Sequence, residues 1–240
     1  MSQPDPYRHH PELRGQIKPA ADSFFRDLDL AVMDARAAEV GRPADWRTPC
    51  EEREAARRDW LTGRMDQDLW VFGYGSLMWD PALDYTEVRR ARVHGYARSF
   101  CLWDEGGRGS LEQPGLMLAL DEGEGCEGLV FRIAAGTVDH ETFVLFRREM
   151  IAGAYKPAWL AMESAQGPIE ALGFVANHAH DRIRPGIPLD QQAQMLAVAE
   201  GVLGTGFEYL SATHDHLAHM GIEDLYISDL HRRASALRQV

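Results

Sequence analysis

Positive charge is scarce in this chain: 25 Lys and Arg stand against 37 Asp and Glu over 240 residues, leaving a net charge of −12. That sign argues against non-specific binding to nucleic acid or to an anionic membrane surface. It also gives an anionic substrate no help from the global field, so such a substrate must be held by local donors. Cysteine is scarce too. Cys50, Cys101 and Cys126 are widely spaced, odd in number and free of any C-x-x-C pair, which is the usage of a reducing compartment rather than of a disulfide scaffold or zinc site. Long apolar runs are missing: nothing approaches the ~18 residues a membrane helix needs, and the polar, proline-bearing start lacks the apolar stretch of a signal peptide. The expectation is a soluble, cytoplasmic protein with neither nucleic acid nor membrane as partner; oligomeric state is left open.

Several ligand-binding signatures are absent as well. Residues 71 to 79 read Val71-Phe72-Gly73-Tyr74-Gly75-Ser76-Leu77-Met78-Trp79. The third glycine of a dinucleotide fingerprint is replaced by Met78, and no Gly-Lys-Ser/Thr comes after it to make a P-loop. A nucleophile elbow fails because Tyr74 and Met78 stand two residues to either side of Ser76. What is present is a hydrophobic strand running into two glycines that flank one aromatic. Bare backbone at Gly73 and Gly75 lets amide groups approach a small anion that larger residues would hold away. The bland reading is a tight strand exit with Ser76 capping the next turn of chain.

Along the chain, Met1 to Pro19 reads as an extended or disordered arm. Phe24, Phe25, Leu28, Val32 and Ala35 recur at helical spacing from Ala20 to about Val40, and Thr48-Pro49-Cys50-Glu51 reads as a capping box opening a helix that stops at Gly63. Short strands come next at Leu69–Phe72, Val93–Trp103, Leu116–Leu120 and Gly128–Ile133. Thr137 and Asp139 open a helix carrying Phe143, Phe146 and Met150. Ala158–Glu163 and Ile169–Ala176 form a hairpin about Ser164-Ala165-Gln166-Gly167. After Pro188 the chain reads as helical, with Gly204 and Gly221 as stops and Leu196, Leu203, Leu210, Leu217, Leu225 and Leu230 facing inward. This is an α+β pattern with a curved or closed sheet, divided into a 1–67 N-terminal arm and helical extension and a 68–240 domain, which the resemblance given below makes the catalytic one.

Three further segments carry chemistry. Glu149 lies near a helix end between Phe146 and Met150; a glutamate beside arginines is usually solvated, but burial there would raise its pKa as a general acid-base at neutral pH requires. Arg147 and Arg148 are expected to leave the helix on other sides and not to cancel that shift. Arg108, in the polar loop Arg108-Gly109-Ser110-Leu111-Glu112-Gln113-Pro114-Gly115, offers a guanidinium for a substrate carboxylate, although most such loops are only connections. The histidines of His178-Ala179-His180-Asp181 and His214-Asp215-His216-Leu217-Ala218-His219 resemble ligand clusters, yet no H-E-x-x-H or comparable zinc signature exists, so no metal is expected. Nothing demands a cofactor.

Taken in order, Val71 through Trp79, Arg108-Gly109 with Gln113-Pro114-Gly115, Arg148-Glu149-Met150-Ile151 with Gly153-Ala154-Tyr155 and Pro157, and Glu208-Tyr209-Leu210 resemble the ChaC-like γ-glutamylcyclotransferases, the glutathione-specific branch of that family. The resemblance covers about Asp68 to Leu230. It implies a γ-glutamylcyclotransferase-like mixed β-barrel with flanking helices and cleavage of glutathione to 5-oxoproline and Cys-Gly. By motif match it implies that Glu149 is catalytic and that Val71, Phe72, Gly73, Tyr74, Gly75, Ser76 and Leu77 form the substrate loop, with Arg108 and Tyr155 also binding substrate. Other γ-glutamyl peptides or amines as substrates, and a non-catalytic module binding a γ-glutamyl ligand, stay open at this level.

Overall fold

The structure, a computed structural model, describes residues 4–39 and 41–238. Two compact units divide it, Met1–Ala97 with Glu122–Val175, and Arg98–Asp121 with Ala176–Val240. The first holds α1 (Leu30–Glu39), α2 (Cys50–Trp60), β1 (Leu69–Gly73), α3 (Val138–Glu149), β4 (Tyr155–Ser164) and β5 (Gly167–Ala176). Two long strands, β2 (Glu87–Asp104) and β3 (Gly115–Ile133), contribute one stretch to each unit. The five strands close into a barrel in the order β1-β3-β2-β4-β5. β1 runs antiparallel to β3, with Val71 opposite Phe131, and parallel to β5, which closes the ring.

The mixed barrel with flanking helices agrees with the expected fold, and the differences have local causes. β3 is one continuous strand where two short ones are expected, because the acidic, glycine-rich middle reads as a loop yet pairs tightly. A side chain on Gly123 would meet the Ala97 Cβ at 2.5 Å, so glycine there permits close approach of the neighbouring strand. The hairpin turn falls where expected, with Gly167 at φ +111° and Ser164 Oγ donating to its carbonyl at 2.7 Å.

The N-terminal segment departs further from expectation. Instead of an extended arm, a 3-10 turn forms at Pro11–Leu13, and Leu13 and Ile17 are buried. The single helix expected from Ala20 is a 3-10 turn at Ala20–Asp22 and then α1, with Phe24 left 55% exposed. The Thr48 capping box does not form. Pro49 is the N-cap of α2 with no side-chain cap, while the Thr48 amide donates to the Ile151 carbonyl at 2.8 Å. A contact distant in sequence has taken the backbone that the local motif would have used.

The second unit contains α4 (Leu189–Val198), the short ribbon β6 (Glu200–Gly201) and β7 (Gly204–Thr205), α5 (Gly206–His219) and α6 (Leu225–Leu237). The ribbon interrupts the helical run expected after Pro188, so Gly204 sits in a strand rather than at a helix stop. Leu203, between the ribbon strands, lies 37% exposed and Leu225, at the start of α6, 75% exposed, whereas Leu196, Leu210, Leu217 and Leu230 are buried as expected. Gly221, at φ +67°, does terminate α5, and the Ile222 amide returns to the Leu217 carbonyl at 2.8 Å. The true capping box is at Thr205 and Glu208, which bond each other reciprocally at 3.1 and 2.8 Å. Among the described residues, no helix is long and apolar enough to cross a membrane.

Candidate active site

β1 is buried throughout most of its length, and Val71 and Phe72 are wholly enclosed in the core. Their side chains are committed to packing, so what this strand offers a ligand begins at the bend after them. A side chain at Gly73 would lie 3.0 Å from the Leu77 Cβ and 3.1 Å from its carbonyl carbon, because the chain folds back sharply. Gly75 (φ −132°, ψ −131°) leads into a one-turn 3-10 helix at Ser76–Met78, closed by the Met78 amide donating to the Gly75 carbonyl at 2.8 Å and the Asp80 amide to the Ser76 carbonyl at 2.9 Å. The opening amides of such a turn have no acceptor within it, which leaves Ser76 and Leu77 N–H groups suited to an anionic guest. Tyr74 and Leu77 are buried; Ser76 is half-buried.

Glu149 is the last residue of α3. Its helix packs Val138, Leu145 and Phe146 into the same core cluster as Val71 and Leu77, with Met150 and Tyr155 set against that cluster. One hydrophobic core therefore brings together the end of β1, the bend, the end of α3 and the start of β4. The Glu149 side chain is only 12% exposed. Burial pushes its carboxyl pKa above the ordinary glutamate value, and the neighbouring Arg148 charge and hydrogen bond oppose that rise without reversing it. Its position at a helix C-terminus, the negative end of the dipole, acts in the same direction as burial.

Arg148 does not turn away from Glu149 as the helical spacing leads one to expect. Its Nε lies 2.9 Å from Glu149 Oε1, its Nη2 donates to Ser76 Oγ at 2.8 Å, and its Nη1 donates to the Asp80 carbonyl. The planar fork thus reaches three acceptors at once, tying α3 to the bend. Arg148 is 8% exposed and Asp80 is buried beside it. Arg147 does leave on another side, where its Nη2 donates to the Arg26 carbonyl at 2.6 Å. Arg148 and Asp80 are the residues that sequence reasoning missed as parts of the site. The signal was available only in the motif around Glu149, since Asp80 contributes through its main chain.

Tyr155 is the first residue of β4 and sits against the shared core, to which the bend's own Leu77 belongs. Arg108 belongs to the second unit, where its amide donates to Asp104 Oδ2, its Nη1 donates to the Thr205 carbonyl at 3.4 Å, and its guanidinium lies 5.5 Å above the Tyr209 ring. The glycines of its loop are required by close backbone approach: a side chain on Gly115 would meet the Arg108 carbonyl oxygen at 2.4 Å. The histidine clusters separate into local pairs. His178 Nε2 lies 2.6 Å from Asp121 Oδ1, and His214 stacks on His231 with ring centroids 4.3 Å apart. Among the described residues, no three His, Cys, Asp or Glu side chains gather in a way that could hold a metal ion.

Comparison with known proteins places these features in context. The family model for ChaC-like proteins matches residues 69–236. A glutathione-specific γ-glutamylcyclotransferase of Escherichia coli K12 is 37% identical over 182 residues, covering 75% of this chain and 79% of the relative. One of Schizosaccharomyces pombe is 30% identical over 182 residues, covering 68% and 90%. Among solved structures, a yeast γ-glutamyl cyclotransferase specific to glutathione superposes with a TM-score of 0.66 at 20% identity, over 72% of this chain and 97% of its own. That likeness bears on the fold.

Proposed function

The chain belongs to the ChaC-like family, and from that premise we propose that it is a γ-glutamylcyclotransferase that cleaves glutathione to 5-oxoproline and Cys-Gly, with Glu149 as its acid-base. The observation that carries this reading is a juxtaposition: a buried carboxyl with a raised pKa, tied through one guanidinium to a glycine bend. In the reaction the substrate's own α-amine attacks its γ-carbonyl carbon, a five-membered lactam closes, and the amide bond to the cysteinyl nitrogen breaks. Because the nucleophile is intramolecular, neither a serine nor a cysteine is needed, and proximity is supplied once the γ-glutamyl chain is held folded.

Three tasks remain for the protein. Glu149, in its ionised form, takes a proton from the α-ammonium so that the amine can attack and returns it to the departing nitrogen as the amide bond breaks; the second proton, shed by the ring nitrogen as the lactam forms, ends on the Cys-Gly amine, which leaves as an ammonium. A raised pKa suits both halves, since the carboxyl must gain and lose the same proton near neutrality. Backbone amides of the bend, from Gly73 to Leu77, hold the α-carboxylate or the oxygen on which charge develops, and they are already aimed before the step begins. Arg148 keeps the bend and the base in register and prevents Glu149 from swinging away. Tyr155, packed against the same core cluster as Leu77, is the further substrate-binding candidate of this unit. We place the reaction in the cytoplasm, a reading supported by three free thiols, two of them buried.

The deciding experiment measures 5-oxoproline release from glutathione, γ-glutamyl-alanine and a γ-glutamyl amine. Release from glutathione alone is expected. Turnover of the other two at equal rate would broaden the substrate class, and no product from any, with binding retained, would make the chain a γ-glutamyl-ligand binding module instead.

A further inference from the structure

The family match begins at residue 69, yet the segment before it is built into the walls of the site. The Lys18 amide donates to the Trp79 carbonyl at 2.8 Å, and its Nζ pairs with Asp80 Oδ2 at 2.8 Å, immediately beyond the bend. Arg26 Nη1 donates to the Ala82 carbonyl at 3.1 Å, and its Nη2 reaches Glu141 of α3 at 2.9 Å. Thr48 holds Ile151, two residues past Glu149, through its amide. Between these ties, the Ser23 hydroxyl accepts the Phe25 amide at 3.2 Å and sets the Phe25 ring 4.0 Å from the Arg148 guanidinium carbon.

We propose that Phe25, outside the family-matched region, is a positioning residue of the active site: its ring closes one face of the Arg148 guanidinium whose edge holds Ser76, the Asp80 carbonyl and Glu149. A guanidinium makes its hydrogen bonds in its plane, and its faces are weakly hydrated. Three in-plane contacts tie down that edge of Arg148 and the residue is only 8% exposed, so an uncovered face would be a route for water. An aromatic ring excludes that water and adds cation–π attraction. Dryness at Arg148 also sustains the environment that raises the Glu149 pKa. The charged groups facing this unit are Arg148 and Arg147 from α3, the latter reaching the Phe25 carbonyl at 3.4 Å, Asp80 after the bend, and Lys18, whose Nζ pairs with Asp80 Oδ2. Phe25 therefore acts on the chemistry through Arg148, without needing to touch substrate. This inference rests on the reading of Glu149 as the acid-base.

The test compares full-length F25A, F25L and F25Y. With glutathione as substrate, F25A is expected to lose roughly tenfold in kcat with a smaller change in KM, and the acidic limb of its rate profile moves to lower pH as Glu149 becomes solvated. F25Y restores both the rate and the profile; F25L restores neither. Wild-type kcat and an unmoved acidic limb in F25A would overturn the proposal, as would full rescue by F25L, which would reduce Phe25 to apolar padding. A second readout needs no substrate: the titration of the Glu149 carboxyl, followed by NMR in selectively labelled protein, is expected to shift downward in F25A. If that shift occurs while the wild-type protein releases no 5-oxoproline, the positioning role stands and the assigned activity fails. If activity is present and the carboxyl titrates identically in both proteins, the positioning role fails alone.

Discussion

The guanidinium of Arg148 donates to the hydroxyl of Ser76 at 2.8 Å, a side-chain bond between residues 72 positions apart in the chain. Its significance lies in the other end of the same group, which bonds Glu149 at 2.9 Å. The two parts of the proposed site, bend and base, thereby share one rigid planar connector.

Ser76→Ala removes one edge contact of a charged, buried group and is expected to cost about 1.5–3 kcal/mol in urea unfolding, with a fall in kcat larger than the change in KM. Arg148→Lys keeps the charge but cannot satisfy three in-plane acceptors, so its cost should be greater, about 3 kcal/mol or more. The double variant should be less damaging than the sum of the two, because both remove the same bond. Strict additivity in stability would mean that the Ser76–Arg148 contact carries no energy.

Glu149→Gln preserves shape and removes the proton carrier. Calorimetry should show glutathione still binding, while 5-oxoproline release drops by about 10²–10⁴. Near-normal turnover in this variant would remove Glu149 from the mechanism.

The same substitution has a stability signature whose sign is set by the raised pKa. The folded state prefers the protonated carboxyl, so the stabilising contribution of this group is fully present below the unfolded glutamate value of about 4.3 and is lost as pH rises through the higher folded value. Glutamine does not titrate. The stability of Glu149→Gln relative to the wild-type chain should therefore improve as pH is raised from acid to neutral, by about 1.4 kcal/mol for each unit of pKa elevation. Thermal unfolding at a series of pH values reads this directly; a difference that stays flat or declines with pH would show that the carboxyl is not desolvated.

The two bend glycines should respond differently. Gly73→Ala forces a new methyl to within about 3 Å of Leu77, and overpacking of this kind typically costs about 1–3 kcal/mol. Gly75→Val puts a branched side chain beside the amides offered to the ligand, so it is expected to weaken glutathione binding more than it weakens the fold. Unchanged affinity in Gly75→Val would take the bend out of the site.

Much of this molecule is legible along the chain. Bare glycines around an aromatic, a hydrophobic strand before them and a carboxylate among apolar neighbours are local patterns that singled out the bend and Glu149 as candidates, and the family resemblance, rather than residue type alone, gave them their proposed roles. The β4–β5 hairpin and the Gly221 stop were equally local, since turn chemistry depends on a few adjacent residues. Where distant segments compete for the same backbone, local patterns misled: Thr48 bonds Ile151 instead of capping its own helix, and the glycine-rich middle of β3 pairs because a neighbouring strand lies against it.

Residue identity by itself thus determined which groups can do chemistry, because an acid, a bare amide or a guanidinium carries its reactivity wherever it is placed. Their arrangement was decided only by the tertiary structure. Burial of Glu149, the turning of Arg148 toward it and the approach of Phe25 to that guanidinium each arise from packing between segments far apart in sequence, and desolvation and hydrogen-bond geometry depend on distance in space.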